Sequence, residues 1–504
     1  MECTRYCLPV KGLIMQKSIK KNMIMNIILT ASNLLFPLIT YSYAARILGT
    51  EGTGKIAFAQ SIMQYFLYLA TLGIPAYGLR ECAKVRDDKD SLSHIVQELL
   101  IINLASAATA YLALTAAVLI VPKLLEYKKL LVLMSSGIFL NTIGLEWVYQ
   151  ALEEYSYITI RSIVFRLISV VLTFIFIRSS DDYVLYAFLN IFVLLAGNVC
   201  NFINVRKHIS LKKKKPYNLK KHINPVFTLF AATAVITIYT NFDVSMIGFI
   251  RSENEVGLYN AALNFKIIIM SVSTTVTSVL IPGIAYNFQK KNLPELNRLI
   301  INSLRVSMIL ALPLAIFVFI FSEDILHFVC GNEFLSASVT LRVLMVCVIP
   351  LILTNLFGNQ LLISLGDEKI YSQSVTVGLC VNIVLNYYLI PIFGAAGAAI
   401  ATLITELWNV FWMGRGVKEY AVMLLKKINF LQYFIPLLTG SLAGLLMKNH
   451  LREVNVFWRL VLEASVVFGI YYGMLLSVKE PMISGQVSAA INKLKRLAEK
   501  FPLA

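Results

Sequence analysis

Charge is scarce in this 504-residue sequence: only 14% of positions are Asp, Glu, Lys or Arg, against 58% hydrophobic residues and a mean hydropathy of +0.72. Soluble domains carry about 25% charge and 45–50% apolar residues, so a multidomain cytosolic enzyme is excluded. The seven cysteines, Cys3, Cys7, Cys82, Cys200, Cys330, Cys347 and Cys380, form no CxxC pair and have no histidine partners at metal spacing. That argues against a disulfide framework and a zinc site, and no metal or other cofactor is expected. Long polar loops are also missing. The longest on the outer side, about 322–337, offers Glu323, Asp324, His327 and Glu333, too little for a membrane polymerase or glycosyltransferase. A nucleotide site is lacking too: Gly49-Thr50-Glu51-Gly52-Thr53-Gly54-Lys55 fills seven positions of a phosphate loop, but Ile56 stands where Ser or Thr should bind Mg2+.

What is present is a series of apolar segments, near 23–48, 55–79, 95–121, 130–152, 157–177, 183–204, 225–250, 256–285, 298–321, 338–365, 370–392, 395–414, 429–447 and 455–477. Each is long enough for a crossing of about 20 residues. The expected fold is an all-α polytopic membrane protein with about 14 transmembrane helices. The first segment starts too late and runs too long for a cleaved signal peptide. Met15 is an alternative start, in which case Cys3 and Cys7 carry no meaning.

The net charge of +17 would suggest nucleic acid in a soluble protein, but its placement decides otherwise. Assigned to alternate sides, 30 Lys and Arg fall on the side of the N-terminus and 9 on the other. This bias places both termini in the cytoplasm. The run Arg206-Lys207-His208-Ile209-Ser210-Leu211-Lys212-Lys213-Lys214-Lys215 reads as a topology signal joined to a flexible linker, with a lipid-headgroup or partner contact as the alternative. After the last span, Ile491, Leu494, Leu497 and Phe501 share one helical face and lysines another, the pattern of a helix lying on the inner leaflet.

An internal repeat divides the chain. Glu51-Gly52-Thr53-Gly54 after the first span resembles Glu255-Val256-Gly257 after the seventh, with Gly54 over Gly257 and Thr30 over Thr233; Leu152-Glu153-Glu154 matches Leu365-Gly366-Asp367. Six spans per copy makes the copies parallel, an arrangement of transporters that handle substrate between the halves. The expected organisation is a cytoplasmic extension over 1–22, an N-lobe over 23–205 and a basic cytoplasmic linker over 206–223. A C-lobe over 224–415, two added spans over 416–478 and an amphipathic tail over 479–504 complete it.

Several stretches carry a family resemblance. Asn26-x3-Thr30-x2-Asn33-x3-Pro37, Ala45-Arg46-Ile47-Leu48-Gly49 and Leu72-Gly73-Ile74-Pro75-Ala76-Tyr77-Gly78-Leu79-Arg80 resemble Wzx-type oligosaccharide flippases of the multidrug/oligosaccharidyl-lipid/polysaccharide exporter superfamily. So does Asn241-Phe242-Asp243-Val244-Ser245-Met246-Ile247-Gly248. The resemblance implies two six-helix lobes around a central cavity open alternately to either side. It also implies export of polysaccharide repeat units carried on undecaprenyl pyrophosphate, with membrane lipids, a polysaccharide polymerase and glycosyltransferases as partners.

Polar groups within spans must face a bundle interior or a wet cavity. Asn26, Thr30, Asn33 and Thr40 form a stripe around Pro37; Ser135, Thr142, Glu146 and Gln150 form another; Asn260, Asn264 and Ser271 a third; Asn382 and Asn386 lie one turn apart. Among the cations, Arg161, Arg166, Lys266 and Arg305 are candidates for an anionic headgroup, since an Arg fork matches phosphate oxygens. Structural ion pairs with Glu146, Asp243 or Glu406 are the alternative. Arg80 falls in the family stretch but sits at a helix exit, where it equally serves topology. Asp243 is a candidate for coupling to H+ or Na+, and Arg459 and Glu463, spaced i, i+4, are expected to satisfy each other. A lipid II flippase and a cation-coupled multidrug antiporter are the alternative functions; the intramembrane cations fit the antiporter's cationic substrates poorly.

Overall fold

The computed structural model describes residues 19–485 apart from 211, 213–215 and 452. The alternative start at Met15, Cys3 and Cys7, and the amphipathic face around Ile491, lie outside these residues. Every regular element among the described residues is helical, as lipid demands, because a helix satisfies its backbone polar groups internally.

The first half comprises α1 (Ile19–Thr71), α2 (Ile74–Lys84), α3 (Lys89–Ile120), α4 (Pro122–Glu126), α5 (Lys128–Gly144), α6 (Glu146–Ala151), α7 (Tyr155–Phe176) and α8 (Tyr183–Asn204). The second comprises α9 (Lys220–Ile250), α10 (Glu253–Thr277), α11 (Ile281–Gln289), α12 (Leu293–Ile320), α13 (Ser322–Val329) and α14 (Ser338–Thr354). A π-helical stretch over Asn355–Leu362 then leads to α15 (Ile363–Leu365), α16 (Glu368–Phe393) and α17 (Ala395–Gly416). Three further helices follow: α18 (Lys418–Lys427), α19 (Leu431–His450) and α20 (Val456–Ser477).

Eleven helices among the described residues are long and apolar enough to cross a membrane, or twelve if the bent pair α18 and α19 counts as one span. α1 enters that tally once, yet its 53 residues would stretch about 80 Å if straight, far beyond a hydrocarbon core of about 30 Å. Gly49, at φ 66° and ψ −173°, breaks it into two helices. Large apolar side chains cover the outside: Leu112 is 72% exposed, Ile120 76% and Val132 71%. Such a surface belongs in lipid, and the chain is a multi-pass membrane protein.

The halves meet near Gly49. A Cβ on Gly54 would lie 1.8 Å from the Glu253 carbonyl oxygen, and one on Gly257 would lie 2.1 Å from that of Thr50, so only glycines allow the two helices to cross there. The two glycines matched by the sequence repeat are therefore in direct contact. Around them Thr50 donates its N–H to Glu333 at 3.2 Å, and Tyr127 donates to Glu253.

The opposite end carries a second joint. Buried Glu98 on α3 accepts from the Asn218 N–H at 2.6 Å and pairs with Lys221 at 2.7 Å and His222 Nε2 at 2.9 Å. His222 Nδ1 bonds the Tyr77 hydroxyl of α2 at 2.9 Å. Ser210 N–H donates to Ser93 Oγ at 2.9 Å, and Gln97 donates to the Ser210 carbonyl at 2.6 Å. The described ends of the basic stretch are thus packed on α3, where a flexible linker was expected. Glu98 is the physical reason, since a fully buried carboxylate needs cationic and N–H partners.

Candidate functional site

A cavity of about 510 Å³ opens within the first half, lined by Asn33, Glu146, Arg161, Arg166, Asn190 and Asn198 among others. Local backbone features present these groups. Pro37, which also lines the cavity, has no N–H and so leaves the Asn33 carbonyl without its helical partner. Leu145, at φ 48° and ψ 34°, ends α5 so that α6 restarts on Glu146. Gly197 lets Arg161 pack closely: a Cβ there would sit 3.4 Å from the guanidinium carbon.

The two arginines differ. Arg161 pairs with Glu146 at 3.1 Å, donates to the Gly197 carbonyl at 3.2 Å and to the Asn201 side chain, and lies over the Tyr157 ring. Arg166 donates only to the Ser32 carbonyl, at 3.2 Å, and its buried Nε has no partner among the described residues. With two guanidinium groups and one carboxylate, the cavity carries a net positive charge, and among the described residues Arg166 makes no ion pair.

A second cavity of about 440 Å³ lies between the halves, with Gln60, Gln64, Asn241 and Asn260 in its wall. Leu194 belongs to both linings, so the amide-rich space adjoins the cationic one.

The second half holds a different arrangement. Asp243, 7% exposed, accepts from Tyr259 and Thr402 at 2.6 Å on one oxygen and from Asn386 at 2.6 Å on the other. Glu406 accepts from Tyr239 at 2.6 Å and Thr354 at 3.1 Å. Lys266 is half-buried and makes no ion pair among the described residues. It lines neither cavity described above. Arg305 lies apart again, in a shallow basic pocket with Arg298 and Lys427. Arg80 is at the surface, paired with Glu81 at 3.2 Å and stacked over Tyr77. Among the described residues no group of three or more His, Cys, Asp and Glu could hold a metal ion.

Residues 19–288 match the family model described as "Polysaccharide biosynthesis protein", and 229–388 match "MatE". The chain belongs to the polysaccharide biosynthesis protein family. A relative named "Putative O-antigen transporter" from Escherichia coli (strain K12) is 26% identical over 399 residues, covering 77% of this chain and 94% of that one. Its counterpart from Shigella dysenteriae is 24% identical, over 79% and 100%. The structure titled "Lipid II flippase MurJ, inward closed conformation" aligns with a TM-score of 0.69 at 18% identity, over 90% of this chain and 98% of that one. An inward-facing multidrug resistance MATE transporter of the MOP superfamily aligns at 0.62 and 13%, over 81% and 100%. Together these place the chain among the Wzx-type members of that superfamily, which are transporters and flippases and not enzymes.

Of the residues singled out in sequence, the fold brings Asn33, Glu146, Arg161 and Arg166 into one cavity and leaves Lys266, Arg305, Asp243 and Arg80 in three other places. Gln60 and Gln64 were missed, although their i, i+4 spacing on the arm of α1 after Gly49 was a signal. Asn190 and Asn198, eight residues apart on α8, were missed similarly. The Arg459–Glu463 expectation is corrected: Arg459 pairs with Asp324 at 2.5 Å, and Lys448 takes its other oxygen at 2.6 Å. Asp324, at the start of α13, attracts both cations, and Glu463 is left buried with neither oxygen bonded among the described residues.

Proposed function

We propose that this chain flips oligosaccharide repeat units linked to undecaprenyl pyrophosphate from the inner to the outer leaflet of the bacterial cytoplasmic membrane, for cell-surface polysaccharide assembly. The single observation that carries this reading is Arg166, which has no ion pair among the described residues and lines a cavity that adjoins an amide-lined one. A pyrophosphate needs the first surface and a sugar the second. The basic linker end faces the cytoplasm, with both termini, and a polymerase and glycosyltransferases act on the substrate before and after it.

Alternating access then requires the halves to part at one end at a time. The glycine crossing of Gly54 and Gly257 closes the outer end, and the Tyr77, His222 and Glu98 joint closes the inner one. Asp243, held by three donors, is the coupling candidate: binding or release of H+ or Na+ there would bias α9 against α16 and α17. Energy also comes from the field. Two negative charges leaving a cell at −100 mV gain about 4–5 kcal/mol, at ~2.3 kcal/mol per charge.

The test uses purified chain in vesicles loaded with pyrophosphate-linked oligosaccharide. Flipping should proceed without ATP and accelerate from zero to −100 mV; equal rates at both would remove the field from the reading. Lipid II is the second substrate to try, because the aligned fold belongs to a flippase titled for it. Faster flipping of lipid II than of the oligosaccharide lipid would replace the first reading.

A further inference from the structure

The lipid-facing flank of the second half carries a site of its own. On α12, Arg298 and Arg305 face Lys427 at the end of α18 across a pocket of about 340 Å³ that also contains Asn297 and Asn302. Arg298 is held by Glu295 at 2.7 and 2.5 Å. Among the described residues Arg305 has no ion pair, and its buried Nε has no hydrogen-bond partner. Lys427 is exposed and makes no ion pair among the described residues. Glu480 is engaged elsewhere, by the Tyr433 hydroxyl at 3.1 Å and the amides of Met482 and Ile483 at 2.8 and 2.9 Å. Two positive charges therefore remain uncompensated in the pocket.

Further along α12 runs an apolar groove of about 330 Å³, walled by Leu312, Ile316 and Phe319 of α12, Ile349 of α14, and Phe434 and Leu438 of α19. Arg305 and Leu312 are seven residues apart, nearly two turns, so they share a face about 10 Å apart along the axis. On the other wall Lys427 ends α18, and Phe434 lies in the first turn of α19 just after the break between them. The depth is set by α18, which bends 60° away from α19 and exposes 70% of Leu425 beside Lys426 and Lys427. An apolar side chain next to paired lysines on an inclined helix belongs at the boundary of headgroups and acyl chains.

We infer that this cleft binds one anionic phospholipid of the adjacent leaflet, its phosphate between Arg305 and Lys427 and one acyl chain in the groove. The lipid bridges α12 to α18 and α19 and so ties the added C-terminal helices to the second half. This site is separate from the cavity of Arg166 and stands without any assumption about the transported substrate.

The test places the full chain in nanodiscs of equal phosphatidylglycerol and phosphatidylcholine and counts retained lipid by native mass spectrometry. The wild type should retain phosphatidylglycerol in preference. Charge near an anionic leaflet contributes about a fivefold factor per basic residue, so R305Q/K427Q should lose roughly tenfold or more of that preference. K427Q alone, at an exposed position that leaves the core intact, should lose about fivefold. I316W, filling the groove, should reduce retention of lipid of either headgroup. Unchanged preference in K427Q and R305Q/K427Q overturns the inference. So does displacement of the lipid by millimolar inorganic phosphate, which marks a free-anion site, or by equimolar undecaprenyl phosphate, which marks a carrier-lipid site.

Discussion

The interiors of the two halves are built to opposite electrostatic plans. In the first half Arg161 and Arg166 face an open cavity and one carboxylate, Glu146, partly offsets them. In the second, Asp243 and Glu406 are buried among hydroxyl and amide donors. A cation left partly unsatisfied in a cavity is available to a ligand that comes and goes. A carboxylate satisfied by three fixed donors is instead a structural element, or a site for something as small as a proton or metal cation. Within one chain the two interiors therefore differ: one leaves a guanidinium open to a cavity, and the other buries its carboxylates among fixed donors.

The joint between them should show the largest effect when broken. Glu98→Ala removes a fully buried carboxylate and leaves His222, Lys221 and the Asn218 N–H without their acceptor. Losing one member of a buried charged network costs about 3–5 kcal/mol, read as a drop in thermal unfolding temperature of the detergent-purified chain. A loss within 0.5 kcal/mol would mean that the α3 and α9 contact does not hold the halves together.

Next comes Arg166→Gln, which tests whether the first half is the substrate side. A charge-assisted contact is worth about 1.5–3 kcal/mol, so flipping of the pyrophosphate-linked oligosaccharide should fall roughly tenfold or more, with unfolding temperature nearly unchanged. Arg166→Lys should recover only part of the rate, since an ammonium cannot make the two-point contact. The equivalent change in the second half, Asp243→Asn, should invert this pattern. Tyr259 and Thr402 both donate to one oxygen of Asp243, and Asn386 donates to the other. An amide there turns one acceptor into a donor at a cost of about 1–3 kcal/mol. If Asp243 couples transport, the variant also loses any dependence of flipping on Na+ or pH; unchanged ion dependence would leave it as bracing alone.

How legible this division was depends on the distance over which each residue finds its partner. The helical class, the turn at Gly49 and the Gly54 and Gly257 match depend on local pattern, and they were readable. Asn33, Glu146, Arg161 and Arg166 sit on short-range helices of one half, so their common fate was also within reach. Arg305 was visible as an intramembrane cation, but hydropathy carries no information on which face of α12 points to a cavity and which to lipid. The Arg459 case is sharper: i, i+4 spacing suggested Glu463, whereas the partner that wins is Asp324, 135 residues away. Glu98 and His222, 124 residues apart, were invisible for the same reason. Tertiary packing decides contests between equally charged partners, and a single chain's pattern does not record the outcome.

The smallest expected effect concerns the one acid in the cationic cavity. Glu146 is 43% exposed on its side chain, against 9% for Arg161, so solvent screens the pair and its worth to folding is under about 1 kcal/mol. Glu146→Gln should therefore leave the unfolding temperature within a degree or two of wild type. Its consequence lies in the ligand: with the carboxylate gone, Arg161 joins Arg166 as a second uncompensated guanidinium facing the same space. A pyrophosphate should then bind a few-fold more tightly, by less than the full pair energy because Arg161 keeps its bonds to Gly197 and Asn201. Tighter holding of the ground state slows release, so the flipping rate at saturating substrate should drop while the half-saturating concentration falls. Weaker binding in this variant would show that Glu146 positions Arg161 for the substrate, and the first half would then be a two-arginine site whose acid is part of the grip.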